Sequence, residues 1–259
     1  MYIRIAKVTM VMALVAAFLL VAAMLAYATN SPIGQDGQEE LDDTITTEAE
    51  TEAEEETLSE PEDPFAKYLN PERNYLILVN KEHEYEFGGW YDQLLQDDLI
   101  QVSDNYEEPT YVENATHLAF GMLQTKLWNE YGILIWLYSA YRTEADQQWV
   151  HDNFGTIEGW NTVAEPGHSE HHTGLMINFL VWHNNEWYTE TAERQQEDDF
   201  YTPIRATLAD YGFIERYPAG KEDITGVACE PYEIRFVGSS KIAHEIMDNN
   251  LCLEEYLDE

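Results

Sequence analysis

An α+β domain is the fold class that the sequence predicts, on two observations. From Pro64 onward, short β-type runs alternate with longer amphipathic stretches of helical period, and turn residues separate them. The residues before Pro64 cannot share that core, because they comprise an apolar run of membrane-crossing length and an acidic stretch nearly free of large apolar side chains. With roughly 100–200 residues expected per domain, one folded unit remains, at 64–259.

At the N-terminus, Arg4 and Lys7 precede an uncharged apolar run from Val8 to Ala28. The basic flank before the run and the acidic chain after it place the remainder outside the cytoplasm. Ala26-Tyr27-Ala28 also has the small-residue form of a cleavage site, so residues 1–30 read as a signal anchor or a removable signal peptide. Residues 31–63 form an acidic linker. Its stretch from Gln35 to Asp63 is rich in Glu, Asp and Thr and is expected to be disordered and self-repelling. The chain carries 50 acidic against 13 basic side chains, a formal net charge of −37, which repels nucleic acid and anionic lipid headgroups alike. No nucleic-acid partner is expected, and membrane contact is expected through the N-terminal segment alone.

Within the domain, Asn74 to Asn80 reads as a strand. Ala115 to Gly132 reads as a helix, with Leu118, Met122, Leu123 and Leu127 on one face and Gly132 closing it. Ile133 to Ser139 is a second strand, and Thr143 has the chemistry of an N-cap for a short helix ended by Gly155. Leu175 to His183 is a third strand, followed by turn residues His183 to Glu186. A helix around Pro203 to Tyr211, a strand over Tyr232 to Gly238, a helix over Lys241 to Asn249 and a C-terminal helix complete the domain. Cys229 and Cys252 are the only cysteines, and they either pair across the C-terminal region or stay as two thiols.

Three stretches could carry chemistry. His168, His171 and His172 crowd between Gly167 and Gly174, and a tight turn of this kind can present imidazoles to a metal; a polar loop is the plain alternative. Glu230 and Glu233 lie three residues apart at the start of a strand, as an acid/base and ligand pair or as an acidic loop. Arg142 sits on a strand-to-helix turn, where a guanidinium in so acidic a chain suits a carboxylate partner or a surface ion pair.

Taken together and in order, these stretches resemble the VanY-type D-alanyl-D-alanine carboxypeptidases, zinc peptidases of the bacterial cell wall that share the hedgehog/DD-peptidase fold. Ser139, Tyr141, Arg142, Thr143 and Gln147 match the family's S-x-Y-R-[ST]-x-x-x-Q. Ser169, His171 and Gly174 match S-x-H-x-x-G-x-x-x-D, and Glu230, Arg235, Phe236, Val237 and Gly238 match E-x-W-H-x-R-[YF]-V-G. The likeness covers roughly Asn74 to Leu257. It implies a single domain with an antiparallel sheet and helices packed on it, outside the cytoplasm in the cell envelope, acting on peptidoglycan stem peptides. It also implies roles: Glu230 and Arg142 catalytic, Ser169, Tyr141 and Gln147 substrate-binding, and His171, Asn178 and Glu233 at the metal positions.

Two metal positions depart from the pattern. Asn178 stands where the family has aspartate and Glu233 where it has histidine, while Tyr232 replaces a tryptophan. The ligand count and formal charge are kept, but an imidazole is lost and an amide oxygen replaces a carboxylate, so zinc should be weakened or absent and a harder divalent ion favoured. His168, His172 or His183 could compensate. The resemblance therefore implies a metal-dependent carboxypeptidase releasing terminal D-alanine from an atypical site; the alternative is a catalytically silent member that binds the peptide.

Overall fold

The computed structural model describes residues 63–105, 108–155, 163–188 and 200–258, and the N-terminal segment and almost all of the acidic linker lie outside them. Its centre is an antiparallel sheet of five strands in the order β3-β4-β7-β6, with β5 on β4. These are β3 (Leu134–Ser139), β4 (Met176–His183), β5 (Glu186–Tyr188), β6 (Phe213–Glu215) and β7 (Glu233–Phe236).

Alternation along the two central strands separates core from site. Ile177, Phe179 and Val181 of β4, with Ile234 and Phe236 of β7, enter the main hydrophobic cluster. The residues between them, Asn178, Glu233 and Arg235, leave on the opposite face and are buried there too. In the ladder Ser139 pairs with Asn178, and Asn178 pairs with Glu233, so three polar residues lie in one row across the sheet.

Helix α2 (Asn114–Tyr131) covers the core face. Glu113 caps it by accepting from the Thr116 N–H at 2.7 Å, and Gly132 at φ 65° ends it. Its buried stripe runs through Ala115, Ala119, Phe120, Leu123 and Leu127, whereas Leu118 and Met122 are half-buried. The expected face is thus shifted: the two alanines let the helix backbone lie close on the sheet, and the longer residues flank the contact. Helix α3 (Glu144–Phe154) begins at Thr143 with a capping box to Asp146. Helix α4 (Tyr201–Leu208) starts two residues ahead of Pro203, which sits in the first turn where no N–H is needed.

The segment Asn74 to Asn80 is not a strand. Its Tyr75 and Ile77 carbonyls accept from the Nη2 of the buried Arg235, at 3.0 and 3.1 Å, so a guanidinium meets the backbone that a ladder would have paired. After it come helix α1 (Trp90–Asp98) and a hairpin of β1 (Leu99–Asn105) with β2 (Glu108–Glu113). Helix α5 (Glu222–Thr225) precedes β7, and α6 (Ser240–Asp248) and α7 (Leu253–Leu257) close the domain, with Ile246 of α6 and Leu253 of α7 in one buried cluster with Ile214 and Val237. No disulfide joins Cys229 and Cys252. Among the described residues, no helix is long and apolar enough to cross a membrane.

Candidate active site

The histidine turn is a single 3-10 turn, Glu170–Thr173, with Ser169 as N-cap and Gly174 at φ 71° as its end. The Ser169 hydroxyl accepts from the His171 N–H at 3.4 Å, so Ser169 shapes the turn from within. A side chain at 174 would need the left-handed backbone and would also bring its Cβ to 2.7 Å from Leu95 Cδ1.

This turn is sewn to the strand-to-helix turn that carries Arg142. The Arg142 N–H donates to the His171 carbonyl at 3.2 Å, His172 Nδ1 meets the Arg142 carbonyl at 2.8 Å, and His171 Nδ1 meets the Ala140 carbonyl. With its Nδ1–H given to that carbonyl, neutral His171 carries its lone pair on Nε2, which accepts from Arg142 Nη2 at 2.8 Å. Burial, then the Arg142 charge, hold His171 well below the usual imidazole range, the Ala140 carbonyl opposing. The half-buried Arg142 is held on two more sides, by Gln147 Oε1 at 2.9 Å and Ser139 Oγ at 3.4 Å, and Gln147 is itself fixed through the Ala164 carbonyl at 2.7 Å.

Facing His171 are Asn178 and Glu233. Asn178 Nδ2 donates to Glu233 Oε1 at 2.7 Å, and the same oxygen lies 3.7 Å from His171 Nε2. Asn178 Oδ1 is buried with no hydrogen-bond partner among the described residues. Glu230 is buried at the turn before β7, where its carbonyl accepts from the Glu233 N–H at 3.0 Å. Tyr217, which sequence reasoning passed over, lies beside this pair: burial drives its phenol well above the usual range, Arg216 opposes, and the carboxylates of Glu170, Glu233 and Glu230 add to the rise. Its position directly after Arg216 in a stretch already resembling the family was the available signal.

The turn is anchored from behind by buried charge. Glu170 receives Arg216 Nε at 2.7 Å and Arg235 Nη1, and Arg216 grips Glu254 of α7 through both terminal nitrogens at 2.9 and 2.7 Å. No spacing rule flags this network, although two arginines among 13 basic residues are fully buried.

Gln147, Arg142, His171, Asn178 and Glu233 are therefore joined in one chain of contacts, with Ser169 inside the turn and Glu230 at the turn before β7, whereas Tyr141 turns its phenol to Gln96 Nε2 at 2.9 Å and packs with the Tyr85 and Leu95 cluster. The three histidines that could compensate are engaged elsewhere: His168 Nδ1 lies 2.8 Å from the Asn80 carbonyl, His172 is held between Arg142 and Gly167, and His183 Nδ1 lies 3.5 Å from the Gly132 carbonyl. Among the described residues no three His, Cys, Asp or Glu side chains form a metal-holding group. Zinc wants imidazole, thiolate or carboxylate lone pairs in a tetrahedron. Here the imidazole lone pair of His171 meets a guanidinium, Glu233 Oε1 meets an amide N–H, and Asn178 offers an amide oxygen. The residues present do not fit zinc.

Comparison with known proteins gives the family. The model of the VanY D-alanyl-D-alanine carboxypeptidase family matches residues 109–239. The putative carboxypeptidase YodJ of Bacillus subtilis (strain 168) is 36% identical over 202 residues, covering 73% of this chain and 68% of that one. Among solved structures, the LdcB LD-carboxypeptidase, whose structure addresses peptidoglycan recognition, is 31% identical with a TM-score of 0.59, over 71% of this chain and 86% of that one. A mutant of the vancomycin-resistance D,D-pentapeptidase VanY, in complex with Zn(II), is 28% identical with a TM-score of 0.56, over 71% and 98% of the two chains. Fold, motif order and these likenesses agree: the chain belongs to the VanY D-alanyl-D-alanine carboxypeptidase family, with the α+β hedgehog-type fold of its zinc-peptidase neighbours.

Proposed function

We propose that the domain recognises peptidoglycan stem peptides outside the cytoplasm, holding a carboxyl-terminal D-alanine end between the histidine turn and the β4–β7 strand pair. The observation that carries this reading is Arg142, a guanidinium fixed by His171, Gln147 and Ser139 beside a buried polar row. A fork set in place before binding loses little freedom when it takes a terminal carboxylate. Gln147 and Ser169 act from behind, by orienting the guanidinium and the turn, and Tyr141 is left a positioning role through Gln96. The proposed domain boundaries, a membrane-targeting segment over 1–30 and an acidic linker over 31–63, would hold the site in the cell envelope as an anchored or released protein.

Hydrolysis of the terminal D-alanine is the second reading, favoured by one observation: Glu230, the position of the family's general base, is buried three residues before Glu233. Calorimetry of the full chain with a D-alanyl-D-alanine pentapeptide, paired with an assay for released D-alanine, separates the two. Binding without release is expected, with Arg142→Ala weakening it roughly 10–100-fold, the loss of one charge-assisted contact. Release that Glu230→Gln abolishes would establish the second reading instead, and neither binding nor release would remove both.

A further inference from the structure

Asn178 and Glu233 are not two independent losses from a metal site. They are register partners on adjacent strands, and the Asn178 amide donates to the Glu233 carboxylate at 2.7 Å. An aspartate at 178 facing a glutamate at 233 would set two carboxylates against each other in a buried row; the amide supplies a donor in the same shape. The third position is engaged as well, because His171 Nε2 accepts from Arg142 at 2.8 Å while His171 Nδ1 meets the Ala140 carbonyl. What is left over is Asn178 Oδ1, a poor zinc donor that is itself buried.

We propose that this closed set of hydrogen bonds, with the Arg142 guanidinium as its resident positive charge, takes the place of the divalent ion, so that the site is built to bind peptide with no metal. A guanidinium can hold a carboxylate or a carbonyl oxygen as a cation would, but it has no open coordination position on which to activate water. Recognition is kept while the means of hydrolysis is lost. The inference deepens the recognition reading and rests on it for the peptide, yet its test needs no peptide, so either can fail without the other.

The full chain in detergent micelles is equilibrated with zinc, desalted and analysed by elemental mass spectrometry, beside His171→Ala. The acidic stretch of the chain can retain zinc on its own, so the difference between the two proteins is what counts. No difference is expected; a loss of about one equivalent in His171→Ala would overturn the proposal. In the reverse direction, Asn178→Asp with Glu233→His is expected to gain about one equivalent that His171→Ala removes again. A folded double variant with no such gain would break the argument from the pair. Should the double variant not fold, histidine nitrogen resonances of the unaltered chain decide: His171 protonated on Nδ1 and unmoved by zinc supports the closed set, and an Nε2 shift saturating at one equivalent of zinc refutes it.

Discussion

Asn178 holds a position that a smaller or a charged side chain fills badly. Its Nδ2 satisfies Glu233, and its Oδ1 is already without a partner among the described residues. Asn178→Ala is expected to cost roughly 1–3 kcal/mol in urea unfolding, by withdrawing a donor from the buried Glu233 carboxylate. Asn178→Asp alone should cost more at neutral pH, since it places like charges in contact. Finding Asp milder than Ala would mean that the pair is not coupled as described. At this scale motif spacing named Arg142, Asn178 and Glu233, which contact His171 or one another. It could not show that Tyr141 faces Gln96, nor that Glu170 is held by two arginines, because spacing along the chain does not state which partners a side chain meets in space.

The glycine that ends the histidine turn differs from the glycine that ends α2. Both have positive φ, but a Cβ on Gly132 would meet open space, whereas one on Gly174 would meet Leu95, the buried residue of α1. Gly132→Ala should therefore show only the backbone strain of about 1–2 kcal/mol, and Gly174→Ala that strain plus a displaced α1; equal thermal shifts for the two would contradict this packing. Element reading was uneven for a related reason. Helix α2 was legible from its apolar stripe and Gly132, and α3 from its Thr143 cap and Gly155, while α1 buries Leu95 alone and has no side-chain cap to mark its start. Asn74 to Asn80 has strand-like residues, but its carbonyls go to Arg235, a partner more than 150 residues away.

Across the molecule, Glu170, Arg216, Arg235 and Glu254 tie the histidine turn, β7 and α7 into one buried, charge-balanced network. Removing one partner leaves a buried charge uncompensated, so Glu254→Gln should cost about 3–5 kcal/mol in an unfolding titration. Burial pushes the Glu254 carboxyl up, but Arg216 outweighs it and holds the group below its usual range. A depressed folded value means stability that is present above the ordinary carboxylate pKa of about 4.3 and lost as pH falls through the folded one. Glu254→Gln should accordingly flatten the acid limb of the stability profile, and an unchanged limb would show that other carboxylates govern it. The α+β class was legible from alternation and the family from its motifs, but this network was not, because its members are far apart in sequence and each alone reads as a surface charge.

That network also bears on folding. Glu254 and Glu170 are both counter-ions of Arg216, at sequence separations of 38 and 46 residues, and α7 is the last helix described. Until α7 docks, Arg216 lacks Glu254 and shares Glu170 with Arg235, so two guanidinium charges face one carboxylate in the buried network. Burying that excess positive charge is costly, so docking of the C-terminal helix and closure of the network are coupled steps of folding.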